Sequence, residues 1–268
     1  MRILIVQTAF LGDVVLTLPL VQALQQYFPD AQIDLLTTPG HAPVLQGQAG
    51  LSAVIPYDKR GKQRGIRGFV NIVRILRSRG YDLALSPHRS LRSALLLACC
   101  GISQRIGFAH RLTNWAYTDT VPRPASGHQV EKNLQLLAPL TVSSYAPPGP
   151  FVMHVAPASR QQAQSILSRH GVEPEHPLVG MIPGSQWGTK RWPTAHFSAL
   201  IQHLKCRHQV HVALFGGQQD RHLAEAIIAA CQTPVIDLIG QTPLQDLAAY
   251  LDCCTVVVSN DTGPMHIA

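Results

Sequence analysis

The chain has 268 residues, of which 46% are hydrophobic, and it carries a formal net charge of +7. This length and apolar content are enough for one large or two ordinary domains, and they exclude a disordered chain. The longest apolar runs are too short to span a bilayer, which excludes a transmembrane protein. Near the N-terminus, Gln7, Gly12 and Asp13 interrupt the apolar run and argue against a signal peptide. We therefore expect a soluble, cytoplasmic protein.

Strands alternate with helices in the first half of the chain. Apolar runs predict strands at 2–6, 32–37, 53–57, 83–86 and 105–107. Helices are predicted at 14–27, 42–46, 68–79, 90–100 and 130–137. Pro19 is expected to distort the first of these helices. Because the strands are apolar on both faces, we expect a parallel sheet that is covered on both sides.

Residues 141–150 are rich in proline and are the best candidate for a linker. The alternation then restarts, with strands predicted at 178–182, 210–215, 235–238 and 255–259 and helices at 194–204, 220–230 and 243–251. A last helix begins at Pro264 without a stop signal, so we expect a second domain that is incomplete at its C-terminus. The pattern predicts an α/β protein of two Rossmann-like domains, 1–150 and 151–268. Their ligands are expected in the cleft, at the carboxyl ends of the strands.

Positive charge is concentrated in residues 59–111. This window contains twelve basic residues and one acid, a net charge of +11 that leaves −4 for the rest of the chain. Such an imbalance indicates an anionic partner: a phosphorylated substrate, a membrane surface or nucleic acid. Aromatic residues are sparse in the window, which argues against nucleic acid. The ordinary alternative is a solvated surface.

The six cysteines form no Cys-x-x-Cys pair and are expected to be free thiols in a reducing compartment. The histidines show no metal-ligand spacing, and no D-x-D sequence is present. The sequence therefore requires neither a metal ion nor another cofactor.

A strand, a polar loop and a helix follow one another at residues 178–204. The loop contains Ser185, Gly188 and Thr189 and ends at Lys190, and Pro193 is placed to start the helix. Backbone N–H groups at such a loop, together with a lysine, suit a phosphate. The loop does not match a known nucleotide-binding signature, so an ordinary strand-to-helix connection is an equally supported interpretation.

Three loops together carry a family resemblance. They are Thr-Ala-Phe-Leu-Gly-Asp at 8–13, the segment from Pro183 to Pro193, and Ser-Asn-Asp-Thr-Gly-Pro-Met-His at 259–266. The chain resembles the ADP-heptose:lipopolysaccharide heptosyltransferases of glycosyltransferase family 9, and most closely the heptosyltransferase II branch. The resemblance implies a GT-B fold and the transfer of L-glycero-D-manno-heptose from ADP-heptose to the inner core of nascent lipopolysaccharide. It also implies inversion at the anomeric carbon.

The resemblance implies a catalytic role for two residues. Asp13 matches the aspartate taken as the catalytic base, which removes the proton of the attacking hydroxyl. The alternative is that Asp13 caps a helix starting at Val14. Lys190, with Ser185 and Thr189, would face the ADP diphosphate and stabilise the charge on the leaving group. The alternative for Lys190 is a surface lysine.

Further contacts to the nucleotide sugar are implied in the second domain. Asp220 would bind the ribose hydroxyls, or else cap the helix that begins at Arg221. Thr242 matches an adenine-contacting position. The remaining candidates follow the last strand: Asp261 for the sugar hydroxyls, Thr262 and Gly263 for close approach to phosphate, and His266 as either a phosphate contact or a core histidine.

The first domain is where the family binds its acceptor, Kdo-lipid A or heptosyl-Kdo-lipid A. Lys59, Arg60, Lys62 and Arg64 are the expected partners of its carboxylates and phosphates, with Arg89 and Arg92 as second candidates. The same cations suit a peripheral location at the anionic inner leaflet. The alternative for this segment is a disordered, solvated loop.

Two other functions remain open from the sequence. One is a GT-B glycosyltransferase that uses a different nucleotide sugar. The other is a non-catalytic anion-binding protein on a Rossmann-like scaffold, in which Asp13 has no role in turnover.

Overall fold

The computed structural model describes residues 1–140, 151–173 and 175–268. These residues form two compact units, Met1–Val152 and Met153–Ala268. The predicted linker, 141–150, lies outside the described residues. Each unit is an α/β layer structure with its own parallel sheet, so the predicted fold class is confirmed.

Unit 1 contains a six-stranded sheet in the order β3-β2-β1-β4-β5-β6, and all of its paired strands are parallel. Parallel strands are buried on both faces, which explains their continuous apolar sequences. The strands are β1 (Arg2–Val6), β2 (Gln32–Thr37), β3 (Ala53–Pro56), β4 (Leu83–Ser86), β5 (Gln104–Phe108) and β6 (Asp119–Val121). The first five were predicted. The sixth was missed because it has only three residues, two of them polar.

The described residues of unit 1 contain five α-helices. They are α1 (Leu11–Val15), α2 (Leu18–Tyr27), α3 (Gly65–Ser78), α4 (Leu91–Cys99) and α5 (Gln129–Leu134). The helix predicted at 14–27 is two helices, because Pro19 sits in the first turn of α2, where its missing N–H costs nothing. Tighter 3₁₀ turns occur at Ala42–Leu45, Asn114–Ala116 and Gln135–Leu140.

Unit 2 contains a four-stranded parallel sheet in the order β10-β7-β8-β9. Its strands are β7 (Leu178–Ile182), β8 (His211–Leu214), β9 (Ile236–Asp237) and β10 (Val256–Ser259). Its helices are α6 (Pro157–Arg169), α7 (Thr194–Arg207), α8 (Arg221–Ala230), α9 (Leu247–Asp252) and α10 (Gly263–Ile267). The sequence did not predict α6, since that helix buries only Ala163 and Leu167 and shows little apolar periodicity.

The helix predicted at 194–204 is α7, and its predicted start at Thr194 is confirmed. Pro193 has φ −57° and ψ 143°, so it is the extended residue directly before the helix. Arg191 and Pro193 are both extended, and the backbone N–H of Trp192 between them donates to Asn260, which directly follows β10.

Each sheet packs against its helices through a separate apolar core. In unit 1 the core on one face joins strand residues such as Leu4 and Ala84 to Ile72 and Leu76 of α3 and Leu97 of α4. In unit 2, Phe197 and Ile201 of α7 and Ile227 of α8 pack on β7 and β8. The cores fix the strands, and the polar loops at the carboxyl ends of the strands are thereby held in place. No helix in the described part of the chain is long and apolar enough to cross a membrane.

Candidate active site

Unit 1 gathers four chemically active side chains at the carboxyl edge of its sheet. Asp13 follows β1, His41 follows β2, Lys59 follows β3 and His88 follows β4. Both histidines feel the charges of Asp13 and Lys59, which places the four groups within electrostatic reach of one another. The carboxyl edge of a parallel sheet is the usual ligand-binding edge of such folds.

Asp13 lies in the first turn of α1, which begins at Leu11. The residue in the cap position is Phe10, and no side chain caps this helix. The alternative role of Asp13 as the cap of a helix starting at Val14 is therefore wrong. Among the described residues no hydrogen bond or ion pair engages its carboxylate, so both oxygens are open to a ligand.

Lys59 is half-buried and does not extend into solvent. Its ammonium group donates to the carbonyl oxygen of Thr8 at 2.8 Å and to the Thr8 hydroxyl at 2.9 Å. Burial lowers its pKa, and the neighbouring Arg60 and Arg92 lower it further. Lys59 was expected to bind the acceptor. In the structure it uses two of its three N–H donors to hold the loop that leads to Asp13.

The two histidines differ in their hydrogen bonding. His41 shares a hydrogen bond of 3.0 Å between its Nδ1 and the hydroxyl of Thr38, whereas the buried Nδ1 of His88 has no protein partner among the described residues. Burial lowers the pKa of both imidazoles, Lys59 lowers them too, and Asp13 opposes the effect. At neutral pH both rings are therefore uncharged.

The basic segment after β3 is an ordered turn. The carboxylate of Asp58 accepts from the backbone N–H groups of Gly61 and Lys62, both at 2.8 Å. These N–H groups hold the pKa of Asp58 below its usual range. Arg60, Lys62 and Arg64 are exposed. The alternative of a disordered loop is not what the structure shows, because the turn presents three cations from a fixed backbone.

Arg89 and Arg92, the second candidates for acceptor binding, differ in their contacts. Arg92 donates to the hydroxyl of Tyr57 at 2.7 Å and lies over the Tyr57 and Phe69 rings, at 5.3 and 5.9 Å from their centroids. Its guanidinium group is thus used in packing. Arg89 is exposed and remains available to a ligand.

In unit 2, two of the predicted loops meet at the ends of β7 and β10. The Lys190 ammonium group contacts the Asp261 carboxylate at 2.5 Å, and the Ser185 hydroxyl donates to the Asp261 carbonyl oxygen at 3.0 Å. The hydrogen bond from Lys190 lowers the pKa of Asp261. Lys190 is exposed, which agrees with the alternative of a surface lysine. It is nevertheless paired with Asp261 of the other loop.

Asn260 joins the same two loops and was not singled out by the sequence. Its side-chain amide donates to the Pro183 carbonyl oxygen at 2.8 Å, and its side-chain oxygen accepts from the backbone N–H of Trp192 at 2.9 Å. Arg191 adds a bond of 2.8 Å to the Ser185 carbonyl oxygen. The sequence signal that could have identified Asn260 is its position as a polar residue directly after an apolar strand.

Asp220 lies between the ends of β7 and β8 and is buried. Its Oδ2 accepts from the backbone N–H of Gly217 at 3.1 Å and from the Gln219 amide at 3.2 Å. A Cβ atom on Gly184 would come within 2.6 Å of the Asp220 carboxylate, so glycine is required for this approach. Asp220 occupies the cap position of α8, but its side chain does not bond to that helix. It bonds instead to the loop after β8.

The remaining candidates lie on the same edge of the unit 2 sheet. Thr189 is exposed in the 3₁₀ turn Gly188–Lys190, and Thr242 is half-buried beyond β9. Thr262 is the extended residue before α10, which begins at Gly263. His266 is half-buried and close enough to Asp261 to lower its pKa. Within the described ranges, no three His, Cys, Asp or Glu side chains are grouped so as to hold a metal ion.

The two parallel sheets, with polar loops at their carboxyl edges, have the architecture of the GT-B glycosyltransferases. The model of glycosyltransferase family 9, the heptosyltransferases, matches residues 69–268, and the chain belongs to this family.

Individual relatives agree with this assignment. The chain is 30% identical to lipopolysaccharide heptosyltransferase 3 of Escherichia coli, over 97% of this chain and 77% of that protein. It is similar to the crystal structure of a family 9 glycosyltransferase from Veillonella parvula, with a TM-score of 0.93 and 25% identity, over 99% of this chain and 77% of that one. It is also similar to the E. coli ADP-heptose lipopolysaccharide heptosyltransferase II, with a TM-score of 0.82 and 26% identity, over 100% of this chain and 81% of that one.

These findings confirm the predicted family, the GT-B fold class and the assignment as a glycosyltransferase. Relatives named heptosyltransferase II and heptosyltransferase 3 match at comparable identity, 26% and 30%. The roles expected for individual residues remain predictions.

Proposed function

We propose that the protein transfers L-glycero-D-manno-heptose from ADP-heptose to the Kdo or heptose of the lipopolysaccharide inner core, with inversion at the anomeric carbon. Two findings support this choice of substrates. The chain belongs to the heptosyltransferase family, and the names of its relatives include ADP-heptose and lipopolysaccharide. The observation that carries the proposal for this chain is the unengaged carboxylate of Asp13 at the carboxyl edge of a sheet.

In the proposed reaction an acceptor hydroxyl attacks the anomeric carbon while Asp13 takes its proton. The bond between the anomeric carbon and the diphosphate oxygen breaks, and ADP leaves with the bonding electrons. Asp13 suits this role because its carboxylate has no other hydrogen bond among the described residues, so an acceptor hydroxyl can approach it directly.

Unit 2 is proposed to bind the donor and stabilise the leaving group. Lys190 supplies the positive charge for the diphosphate, and Asp261 orients its ammonium group through their contact of 2.5 Å. Near this contact, Ser185 and Thr189 lie on the loop after β7, Thr262 lies on the loop after β10, and Gly263 and His266 belong to α10. Thr242 is proposed for adenine. Asp220 would reach the ribose through Oδ1, since its Oδ2 is held by Gly217 and Gln219. No step of this reaction is assigned to a metal ion.

Unit 1 is proposed to bind the acceptor. The exposed cations Arg60, Lys62 and Arg64 match the carboxylates of Kdo and the phosphates of lipid A. Lys59 is proposed to be a positioning residue that does not contact the acceptor. It fixes the loop at Thr8 and thereby the position of Asp13. A lipid-linked acceptor of this kind places the enzyme at the cytoplasmic face of the inner membrane.

The direct test is ADP release and product mass after incubation with ADP-heptose and Kdo-lipid A or heptosyl-Kdo-lipid A. We expect transfer by the wild-type chain, loss of transfer in Asp13→Asn, and normal transfer in the control Asp30→Asn, which changes an exposed aspartate outside the site. Turnover only with a UDP- or GDP-sugar would replace the proposed donor. Anion binding without turnover, unaffected by Asp13→Asn, would identify a non-catalytic binding protein.

A further inference from the structure

Large apolar side chains are exposed on one surface of unit 1. Two of them are on α3, Ile66 at 82% and Val70 at 47% exposure, and two are on α4, Leu91 at 55% and Leu95 at 40%. Trp115, in the 3₁₀ turn after β5, is 58% exposed. We call these five residues the apolar face. Contiguous exposed apolar surface of this kind marks an interaction site.

The fold places the five residues side by side. Ile66 and Val70 are four residues apart on α3, as Leu91 and Leu95 are on α4, so each pair shares one side of its helix. Helix α3 packs against α4, and α4 packs against the turn Asn114–Ala116. The inner sides of the three elements share one apolar core, so their outer sides form a continuous surface.

Cations surround this surface. None of them belongs to the four ion pairs found in the described part of the chain. The exposed cations of these elements and their leading loops are Arg60, Lys62, Arg64, Arg67, Arg74, Arg77, Arg89 and Arg111. The acid of the basic window, Asp82, accepts from the backbone N–H of Arg2 at the start of β1, which is the opposite edge of the sheet. Asp58, in the turn before α3, offsets part of this charge, and the border of the apolar face remains net positive.

We propose that the apolar face docks on an anionic lipid bilayer, with the five side chains inserted between the headgroups and the cations paired with lipid phosphates. An apolar strip beside basic side chains is the pattern of an interfacial membrane-binding surface. A second copy of the chain is a poorer occupant, because it would bring two sets of unpaired cations together. The inference rests on the proposed function in that it supplies access to a lipid-linked acceptor.

The test is sedimentation of the full chain with vesicles of phosphatidylcholine alone and with vesicles that also contain phosphatidylglycerol. Neither vesicle contains donor or acceptor, so the result does not depend on turnover. We expect binding to the anionic vesicles. The double variant Ile66→Ser, Leu91→Ser should bind about tenfold or more weakly, because two insertions are lost while the charge is unchanged.

The matched control is Val152→Ser, which removes an equally exposed apolar residue, at 81%, outside the apolar face and should bind like the wild type. If the double variant has a lowered melting temperature, Leu95→Ser with Trp115→Ser replaces it. Failure of the wild type to bind anionic vesicles overturns the proposal, and so does equal binding by the variants. Self-association without lipid that the same substitutions abolish also overturns it, in favour of a second copy.

Transfer to a water-soluble Kdo acceptor separates this inference from the proposed function. The double variant should retain full transfer to that acceptor and lose it selectively on acceptor embedded in anionic vesicles. Absence of transfer to the soluble acceptor by the wild type would instead count against the proposed function.

Discussion

The carboxylates of the candidate site residues are held in opposite ways in the two units. In unit 1, the carboxylate of Asp13 has no hydrogen bond or ion pair among the described residues, although Lys59 and two histidines are within electrostatic reach. In unit 2, Asp261 is paired with Lys190, and Asp220 is bonded to the loop after β8. A carboxylate without partners can accept a proton from a substrate, whereas a carboxylate with partners organises a binding loop. This difference supports the proposal that Asp13 takes the proton and that the aspartates of unit 2 bind the donor.

The largest expected effect comes from removing the unpaired carboxylate. Asp13→Asn should lower the transfer rate by about 100- to 10,000-fold, because the attacking hydroxyl loses its proton acceptor. The measurement is kcat for transfer at saturating ADP-heptose. A variant that keeps more than about half of the wild-type rate would show that Asp13 is not the base.

Lys190→Ala should follow, with a loss of about 100- to 1000-fold in kcat if its charge stabilises the leaving diphosphate. Asp261→Asn keeps the ammonium group and removes only its orienting partner, so its effect should be smaller, on the order of tenfold. The two rates, with the rate of the double variant, form a double-mutant cycle. Additive losses would contradict the coupling that the contact of 2.5 Å implies.

Lys59→Met tests whether the loop that leads to Asp13 depends on its hydrogen bonds from Lys59. It removes the two bonds to Thr8 and should reduce kcat about tenfold, with a smaller change in acceptor KM. Lys62→Met is the matched control, since Lys62 is exposed, and it should raise acceptor KM at nearly constant kcat. The opposite pattern would make Lys59 an acceptor ligand.

Asn260→Ala tests the connection between the two loops of unit 2. It breaks both side-chain bonds and leaves the Pro183 carbonyl and the Trp192 N–H without partners, at a cost of about 1–3 kcal/mol in the free energy of unfolding. Denaturant unfolding measures the loss. Unchanged stability would mean that the loops are held by Arg191 and the Lys190–Asp261 pair alone.

The smallest expected effect is a dependence of stability on pH in unit 1. Because burial holds the pKa of His41 and His88 below that of the unfolded chain, the unfolded state binds more protons once the pH falls below about 6.5. Stability is therefore greatest above this pH and is lost as the pH falls toward the folded-state pKa values. Thermal melting between pH 7.5 and 5.5 should show a shallower decline in His88→Asn than in the wild type, and an equal decline would contradict the buried, uncharged ring.

The sequence was most informative where signals are local. Apolar runs located β1, β2 and β4. The cluster around Asp13 was not predictable, because His41 and His88 come from loops after different strands and meet Asp13 only through the strand order of the sheet. The pairing of Lys190 with Asp261 depends in the same way on the adjacency of β7 and β10. Lys59 was expected to bind a ligand. Its bond to Thr8 was missed because the two residues are 51 positions apart, and no local sequence pattern indicates such a contact.

The division of roles between the two units is tested most directly by titrating ADP into Asp13→Asn and Asp220→Asn by calorimetry, beside the wild-type chain. If unit 2 binds the donor and Asp13 serves only the proton transfer, ADP should bind Asp13→Asn with the wild-type dissociation constant and bind Asp220→Asn more weakly. Wild-type affinity in Asp220→Asn together with lost affinity in Asp13→Asn would contradict the account.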